Sequence, residues 1–353
     1  MKISYVSTQA VSQAMRYQML RMQADLAKAQ QENTTWRHAD VGVAIGARAG
    51  QSLSMSREID RLKGLVDSNQ LAKSRLSSTQ LTLQEMTKAS QELLSALTTA
   101  MSGTSDLSIV QAQAQATLDK MTADLNTNLN GEYIFAGINT DVKPVNDFLD
   151  ENSPNRQAFD AAFVARFGFA QDHPDAANIS AEDMADFIET DLEPLFLGAA
   201  WNDPATGWSN ATDQTITSRI TLSETAQTSV SANIPGVRKL AMASAMVTNL
   251  FADGAIGGEA ADVILEKAAA LVGEAIVDLA NQQSYTGITE QRLTNASERM
   301  SMQKDLLTKN INDLEGVDPY EASTRVSGLL AQIEISYALT SRIQQLSLVR
   351  YLS

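Results

Sequence analysis

The architecture of this protein follows from one amphipathic stretch near its carboxyl end, residues 318–352: DPYEASTRVSGLLAQIEISYALTSRIQQLSLVRYL. Asp318 can cap a helix, Pro319 suits the first turn, and Glu321 stands where a capping box needs a carboxylate. The helix would be about 50 Å long at about 1.5 Å per residue. Its apolar stripe cannot be buried within one helix; the stripe comprises Val326, Leu330, Ile333, Tyr337, Leu339, Ile343 and Leu346.

A second stripe lies near the amino terminus, between residues 6 and 29. Val11, Met15, Met22 and Leu26 follow one another at intervals of 4, 7 and 4 residues, with polar side chains between them. This spacing predicts a long helix with one apolar face. We expect the two terminal helices to pack together and to leave apolar surface for neighbouring molecules.

Further helices are predicted next to both stripes. After a Gly- and Ala-rich connector at residues 34–52, helical spacing runs through residues 53–101. A third helix is predicted with Ser105 as its N-cap, to be closed by Asn130-Gly131. In the last third, intervals of 7, 7, 4 and 3 residues predict a coiled-coil seam at Leu293, Met300, Leu307, Ile311 and Leu314.

The middle of the chain has a different composition. GEYIFAGINTD at residues 131–141 places aromatic and β-branched residues between glycines, which predicts a strand or short hairpin. Residues 142–205 hold five of the seven prolines, together with short acidic helical segments. QTITSRITLSE (214–224) and TSVSANIPG (228–236) alternate with the two-residue period of strands. Helical composition returns at Val237.

These patterns predict a mainly α-helical fold with a β-containing insert. We expect an elongated bundle of long helices, formed by the amino- and carboxyl-terminal segments, and a mixed α/β central domain. Five regions are expected: an N-terminal assembly helix and connector (1–45), the first half of a helical rod (46–137), the mixed insert (138–236), the second half of the rod (237–316) and a C-terminal assembly helix (317–353).

Composition excludes several classes of function. The 27 Lys and Arg against 42 Asp and Glu give a formal net charge of −15, which disfavours a nucleic-acid partner. Because the chain has no cysteine, it has no disulfide, thiolate zinc site or cysteine nucleophile. No stretch approaches the roughly 20 apolar residues of a membrane span, and no continuous apolar segment marks a cleavable signal peptide. We therefore expect a soluble protein that does not contact membranes.

No catalytic, cofactor-binding or metal-binding residues are expected. The two histidines, His38 and His173, are far apart in sequence, and both are expected in a connector or loop. Asp183, Asp186 and Asp191 could form an acid/base set, but a solvated acidic helix face is the better interpretation. An enzyme in the central insert is an alternative without a supporting motif.

Three stretches carry a resemblance to a known family. GEYIFAGINTD resembles the Gly-aromatic-apolar-Phe-Ala-Gly signature of the hook-associated protein at the hook–filament junction, within the bacterial flagellin superfamily. The stretch at 318–352 resembles the terminal helix of that protein, including its Ser-Arg-Ile-x-Gln-Leu-Ser-Leu run. ADVGVAIGAR at 39–48 is similar to the connector between the first two flagellin helices, although Asp40 stands where the family often has an Asp pair. The resemblance covers about residues 1–141 and 237–353.

This resemblance implies a structural subunit of the bacterial flagellum that joins hook to filament. Such proteins are exported unfolded, without a cleavable signal peptide, through the flagellum's own channel, and they assemble outside the cell into a helical layer. Expected partners are further copies of the chain, the neighbouring hook-associated junction protein, flagellin and an export chaperone. A coiled-coil assembly interface is expected at Val11, Met15, Met22, Leu26, Leu339, Ile343, Leu346, Val349 and Leu352.

Two other functions stay open on the sequence. The chain could be a flagellin that forms the filament itself, although GEYIFAG and SLVRYLS favour the junction protein. From a different class, it could be a cytosolic coiled-coil adaptor, a function that would not need the β-containing insert.

Overall fold

A computed structural model describes residues 8–103, 105–205 and 207–351, and it describes only the backbone of residues 8, 9, 12 and 343–351. The chain divides into two compact units. The terminal unit contains the described residues up to Gly64 and from Met300 onward, and the central unit contains Leu65–Arg299.

Long helices dominate the described residues. In chain order the α-helices are α1 (Thr8–Thr35), α2 (Val41–Ile45), α3 (Ala49–Met101), α4 (Leu107–Leu125), α5 (Pro154–Phe167), α6 (Ala181–Phe187), α7 (Glu193–Phe196), α8 (Pro235–Leu250), α9 (Gly258–Glu315) and α10 (Pro319–Tyr351). The strands form two antiparallel hairpins, β1 (Asn128–Leu129) with β2 (Glu132–Tyr133), and β3 (Thr217–Arg219) with β4 (Thr225–Gln227). Short 3-10 turns lie at Gly46–Arg48, Pro174–Asn178 and Ala199–Asn202, and one π-helical turn lies at Ile188–Leu192.

The predicted fold class is confirmed: the chain is mainly helical, with long helices towards both ends and a small β-containing insert. The helix predicted at 53–101 is α3, which begins earlier, at Ala49, directly after a 3-10 turn. The predicted break before the last helix is present, and Asp318 Oδ1 accepts from Tyr320 N at 2.8 Å. The predicted capping box is wrong, because Glu321 instead accepts from Arg325 Nη2 one turn later, at 2.7 Å.

The third helix differs from the prediction at both ends. Its N-cap is Asp106 rather than Ser105, since the Asp106 carboxylate accepts from Ser108 N at 3.0 Å. It ends at Leu125, where the Asn126 side chain both accepts from Val145 N at 3.0 Å and donates to Val145 O at 3.1 Å. Asn130-Gly131 is therefore not a helix stop. Both residues have positive φ, 56° and 90°, and they form the turn between β1 and β2.

The strand predictions were too long. Of GEYIFAGINTD, only Glu132–Tyr133 forms a strand, and its partner lies upstream of the predicted stretch. The second hairpin pairs Thr217 with Gln227 and Arg219 with Thr225, so residues 228–236 lie outside it. Beyond the hairpin, Thr228 N donates to Ile216 O at 2.8 Å, and side chains add further bonds: the Ser229 hydroxyl accepts from Ile216 N at 2.7 Å, and the Ser218 and Thr228 hydroxyls lie 2.7 Å apart. Such side-chain bonds cannot be recognised from alternation alone.

One hydrophobic core joins the long helices of the central unit to the insert. Segments of α3, α4, α8 and α9 contribute Leu, Met, Val and Ala side chains, and α8 is buried along almost its whole surface. Although aromatic residues make up only 5% of the sequence, the insert concentrates them in this core. Trp201 and Trp208 stack at 5.6 Å between ring centroids, and Phe148 stacks on Trp208 at 4.9 Å. The insert thus has large side chains with which to bury itself against the helices.

Candidate functional site

The candidate site is the pair of helices α1 and α10 in the terminal unit. The two helices lie side by side: Gln23 Nε2 donates to the Tyr337 hydroxyl at 3.0 Å, and the Thr340 hydroxyl lies 4.0 Å from Met15 Sδ. The shielded residues of α10 follow one another at intervals of 4, 3, 4, 3 and 4, the pattern of a coiled-coil seam: Ala322, Val326, Leu329, Ile333, Ser336 and Thr340. The corresponding shielded face of α1 comprises Val11, Met15, Met19, Met22, Leu26 and Ala29.

The four predicted interface residues of α1 lie on this seam. Val11, Met15, Met22 and Leu26 are partly shielded, on the face that contacts α10. On α10, Leu339 lies off the seam and is 49% exposed. The structure describes only the backbone of Ile343, Leu346 and Val349, and Leu352 lies outside the described residues.

Part of the predicted α10 stripe lies off the seam. Leu330 and Tyr337 were assigned to it, but they are exposed beside the seam, whereas Leu329 is partly shielded. The signal that could have found the seam is the heptad spacing through Ser336 and Thr340. Because these two positions are polar, the spacing of apolar residues does not identify them as part of the seam.

Both helices of the pair also carry apolar side chains away from the seam. On α1, Tyr17 is 75% exposed and Leu20 63% exposed, and their spacing of three residues places them on one face. On α10, Ile335 and Leu339 are exposed one turn apart. These four residues are called the outer apolar face. Exposed apolar side chains that share one face of a helix are typical of surfaces that contact other molecules.

Main-chain hydrogen bonds join the segment that follows α1 (residues 36–38) to the segment that precedes α10 (residues 315–317), and this contact is called the joint. His38 N donates to Glu315 O at 3.0 Å, and Val317 N donates to Trp36 O at 3.1 Å. Arg37 and Gly316 form an antiparallel bridge between them. Trp36 has a φ of 55°, a left-handed conformation that a bulky residue adopts only when its surroundings hold it there.

Two buried glutamates hold this joint. Glu32 is 8% exposed; its Oε1 accepts from Ala39 N at 3.1 Å and its Oε2 from Arg325 Nη1 at 2.9 Å. His38 Nδ1 lies 3.7 Å from Glu32 Oε1. A buried carboxylate is costly unless charge and hydrogen bonds compensate it, and Glu32 has both.

The second glutamate has a matching environment. Glu315 is also 8% exposed; its Oε1 accepts from the Ser52 hydroxyl, and Arg37 Nη1 lies 3.5 Å from its Oε2. Arg37 is held in turn by its Nη2, which donates to Asn312 Oδ1 at 2.7 Å. Neither glutamate was predicted from the sequence to have this role. The available signal was that Glu32 continues the shielded face of α1 three residues after Ala29.

The two histidines belong to different units. His173 Nδ1 accepts from Asp175 N at 3.2 Å in the central unit, whereas His38 belongs to the joint of the terminal unit. Among the residues that the structure describes, no group of three or more His, Asp or Glu side chains is placed to hold a metal ion. Nor does this described part include a helix with the length and apolar content to cross a membrane.

Comparison with protein families explains the helical pair. Residues 6–140 match the bacterial flagellin N-terminal helical region, and residues 269–352 match the bacterial flagellin C-terminal helical region. The chain belongs to the bacterial flagellin family. The first match includes α1 and the second includes α10, so both helices of the candidate site lie within the family regions. No curated protein matches the chain.

Family membership confirms the predicted superfamily. This flagellin-family protein is a structural subunit of the bacterial flagellum, an extracellular structure, and it belongs to a family of structural proteins. Membership of this family also favours a self-assembling subunit over the cytosolic adaptor.

Proposed function

We propose that this flagellin-family protein is the subunit that joins the hook to the filament and that it assembles through its terminal helices. The support for the junction over the filament is the resemblance of residues 131–137, GEYIFAG, and 347–353, SLVRYLS, to the junction protein. The runner-up is a flagellin that forms the filament itself, and it is favoured by the names of the two matched family regions.

The observation that carries self-assembly is the outer apolar face. Tyr17, Leu20, Ile335 and Leu339 are about half exposed or more, although the seam between α1 and α10 is already formed within one chain. Burying one large apolar side chain contributes about 1.5–3 kcal/mol. In a helical layer every copy would repeat such contacts, so a modest stabilisation at each face would be multiplied along the assembly.

The predicted assembly residues would act in two ways. Val11, Met15, Met22 and Leu26 would hold α1 against α10 within one subunit. Leu339 would contribute to contacts between subunits, as would the tail residues Ile343, Leu346, Val349 and Leu352. Residues 1–45 and 317–353 would be the assembly segments and residues 138–236 the insert that distinguishes this subunit. The proposed partners are the neighbouring hook-associated junction protein, flagellin and an export chaperone.

Immunogold labelling of purified flagella tests the proposal. A junction subunit would be labelled in a narrow band between hook and filament, whereas a flagellin would be labelled along the whole filament. Deleting the gene provides a second measurement: loss of a junction subunit would leave hooks without filaments and release flagellin into the medium. Labelling along the filament would contradict the junction assignment and support the runner-up.

A further inference from the structure

We propose that the central unit binds a neutral, hydroxyl-rich ligand of the saccharide class in a cavity beside α9. The cavity has a volume of about 280 Å³. Its walls are the segments around Asp213–Thr215 and Gln227–Pro235 and the face of α9 that carries Gln282, Tyr285, Thr286 and Thr289. The volumes of ligand pockets begin at about 300 Å³, so a cavity of this size suits a small ligand such as a single sugar ring. All the lining residues belong to the central unit.

The floor of the cavity offers hydroxyl donors. Ser229 and Ser231 are each 5% exposed and line the cavity. Both oxygens accept a main-chain hydrogen bond, from Ile216 N at 2.7 Å and from Asn233 N at 3.2 Å. Within the described part of the chain, neither hydroxyl donates to an acceptor. Because buried hydroxyl groups normally use their donor, a ligand oxygen would complete both.

The rim offers an acceptor and an aromatic ring. Asp213 is held in place by Asn233 Nδ2, which donates to Asp213 Oδ1 at 2.7 Å, so its second oxygen can accept from ligand hydroxyls. Tyr285 is half exposed, and its hydroxyl lies 3.3 Å from Gln227 Oε1. A sugar has hydroxyl groups for a carboxylate and an apolar C–H face for an aromatic ring, so the two kinds of group suit one ligand.

The lining also excludes other ligand classes. Among the described residues no Lys, Arg or His lines the cavity. Arg238 lies close enough to Asp213 to interact with its charge, but it donates to Phe196 O and Gly198 O, so an anion such as a phosphate would meet a carboxylate and no cation in the lining. Apolar atoms form the larger part of the lining and come from residues such as Leu76, Val230, Ile234 and Pro235, but a hydrocarbon ligand would leave the serine hydroxyls without partners. A polar, uncharged ligand fits both constraints.

Saturation-transfer NMR and calorimetry on the purified, unassembled protein test this site. The probes are methyl α-glucoside, methyl α-galactoside, N-acetylglucosamine and myo-inositol, with inorganic phosphate and indole as contrasting ligands. We expect saturable binding of at least one of the sugars or inositol, and none of phosphate or indole. Asp213→Asn keeps an oxygen for Asn233 but removes the carboxylate, and it should weaken binding about ten-fold, as expected for loss of a charge-assisted hydrogen bond.

Two further variants separate binding from folding. Tyr285→Phe keeps the ring and should retain binding, whereas Tyr285→Ala should weaken it, with thermal melting of each variant measured alongside. Asp172→Asn removes an exposed carboxylate outside the cavity lining and is the matched control. The proposal is overturned if none of the four hydroxyl-rich probes binds, if phosphate or indole binds as tightly, or if Asp213→Asn binds like the unaltered protein.

Discussion

Arg325 on α10 donates from Nη1 to Oε2 of Glu32 on α1 at 2.9 Å, although 293 positions separate the two residues in sequence. Glu32 is nearly buried, whereas the Arg325 side chain is 43% exposed. The same arginine also donates to Glu321, one turn earlier on its own helix, at 2.7 Å. The pair therefore links the last turn of α1 to the first turns of α10, next to the joint at which both helices are interrupted.

Removing Arg325 should loosen this joint. Arg325→Ala leaves the buried Glu32 carboxylate with the Ala39 amide and no close arginine, and we expect the terminal unit to lose about 1–2 kcal/mol of stability. Hydrogen exchange of the amides in α1 and α10 measures this loss. The matched control is Arg342→Ala, which removes an exposed arginine of the same helix. Equal exchange rates in the two variants would contradict the role of the pair.

Asp318 should stabilise the start of α10. Its carboxylate accepts from Tyr320 N at 2.8 Å, and the loss of an N-cap typically costs about 1 kcal/mol. Asp318→Ala should therefore increase hydrogen exchange in the first turns of α10. Glu321→Ala removes only an exposed ion pair and should cost about 0.5 kcal/mol or less. A larger effect at Glu321 than at Asp318 would show that the capping assignment is wrong.

The seam and the outer apolar face should respond differently to substitution. Leu20→Ser with Ile335→Ser changes exposed residues, so the melting of the monomer should stay nearly unchanged while polymerisation is lost. Ile333→Ala removes a buried seam residue and should destabilise the helix pair by about 2 kcal/mol. Circular dichroism melting and sedimentation of assembled protein measure the two effects. Normal polymerisation of the double variant would rule out the outer face as an assembly surface.

Deleting residues 344–353 tests the proposed tail contacts. The melting of the central unit should stay unchanged, because the deleted residues are not part of that unit. Assembly should fail, and cells should release flagellin instead of building filaments. If the deletion instead lowered the melting temperature of the central unit by several degrees, the tail would be packing on its own subunit. Motile cells with normal filaments would remove the tail from the proposed interface.

Two carboxylates that share one lysine should have opposite effects on stability. Lys120 Nζ lies 3.1 Å from Glu85 Oε2 and 3.8 Å from Asp124 Oδ2. The hydrogen bond from Lys120 lowers the pKa of Glu85, whereas burial raises the pKa of Asp124. Ionised Glu85 therefore adds stability that is lost as the pH falls through its lowered pKa. Ionised Asp124 costs stability, and this cost appears as the pH rises from its ordinary pKa through its raised pKa.

These signs give a direct comparison at neutral pH. Glu85→Gln should lower the free energy of unfolding, and Asp124→Asn should leave it unchanged or raise it. Urea denaturation at neutral and acidic pH measures both variants. The difference between them should shrink as the pH falls and both carboxylates become protonated in the unaltered protein. A strongly destabilised Asp124→Asn variant would show that its carboxylate is needed in the charged form.

The long helices and their interruptions could be predicted from local patterns. Apolar spacing identified α1, α3 and α10, and the Asp318-Pro319 pair located the break before α10. These features depend on residues within a few turns of each other, because helix formation and capping are short-range interactions. The partner of the α1 stripe could also be predicted, since two amphipathic helices of one chain need apolar surfaces to cover.

Contacts between residues far apart in sequence decided the rest. The third helix ends at Leu125 because Asn126 bonds to Val145, and Asn130-Gly131 becomes a hairpin turn as a result of this earlier end. The buried glutamates were missed for the same reason. A charged residue is ordinarily exposed, and Glu32 can be buried only because Arg325 is brought to it by the packing of α1 on α10. The local sequence determines where helices form, because their period appears within a few turns. The compensation of a buried charge depends instead on which distant groups the folded chain places beside it.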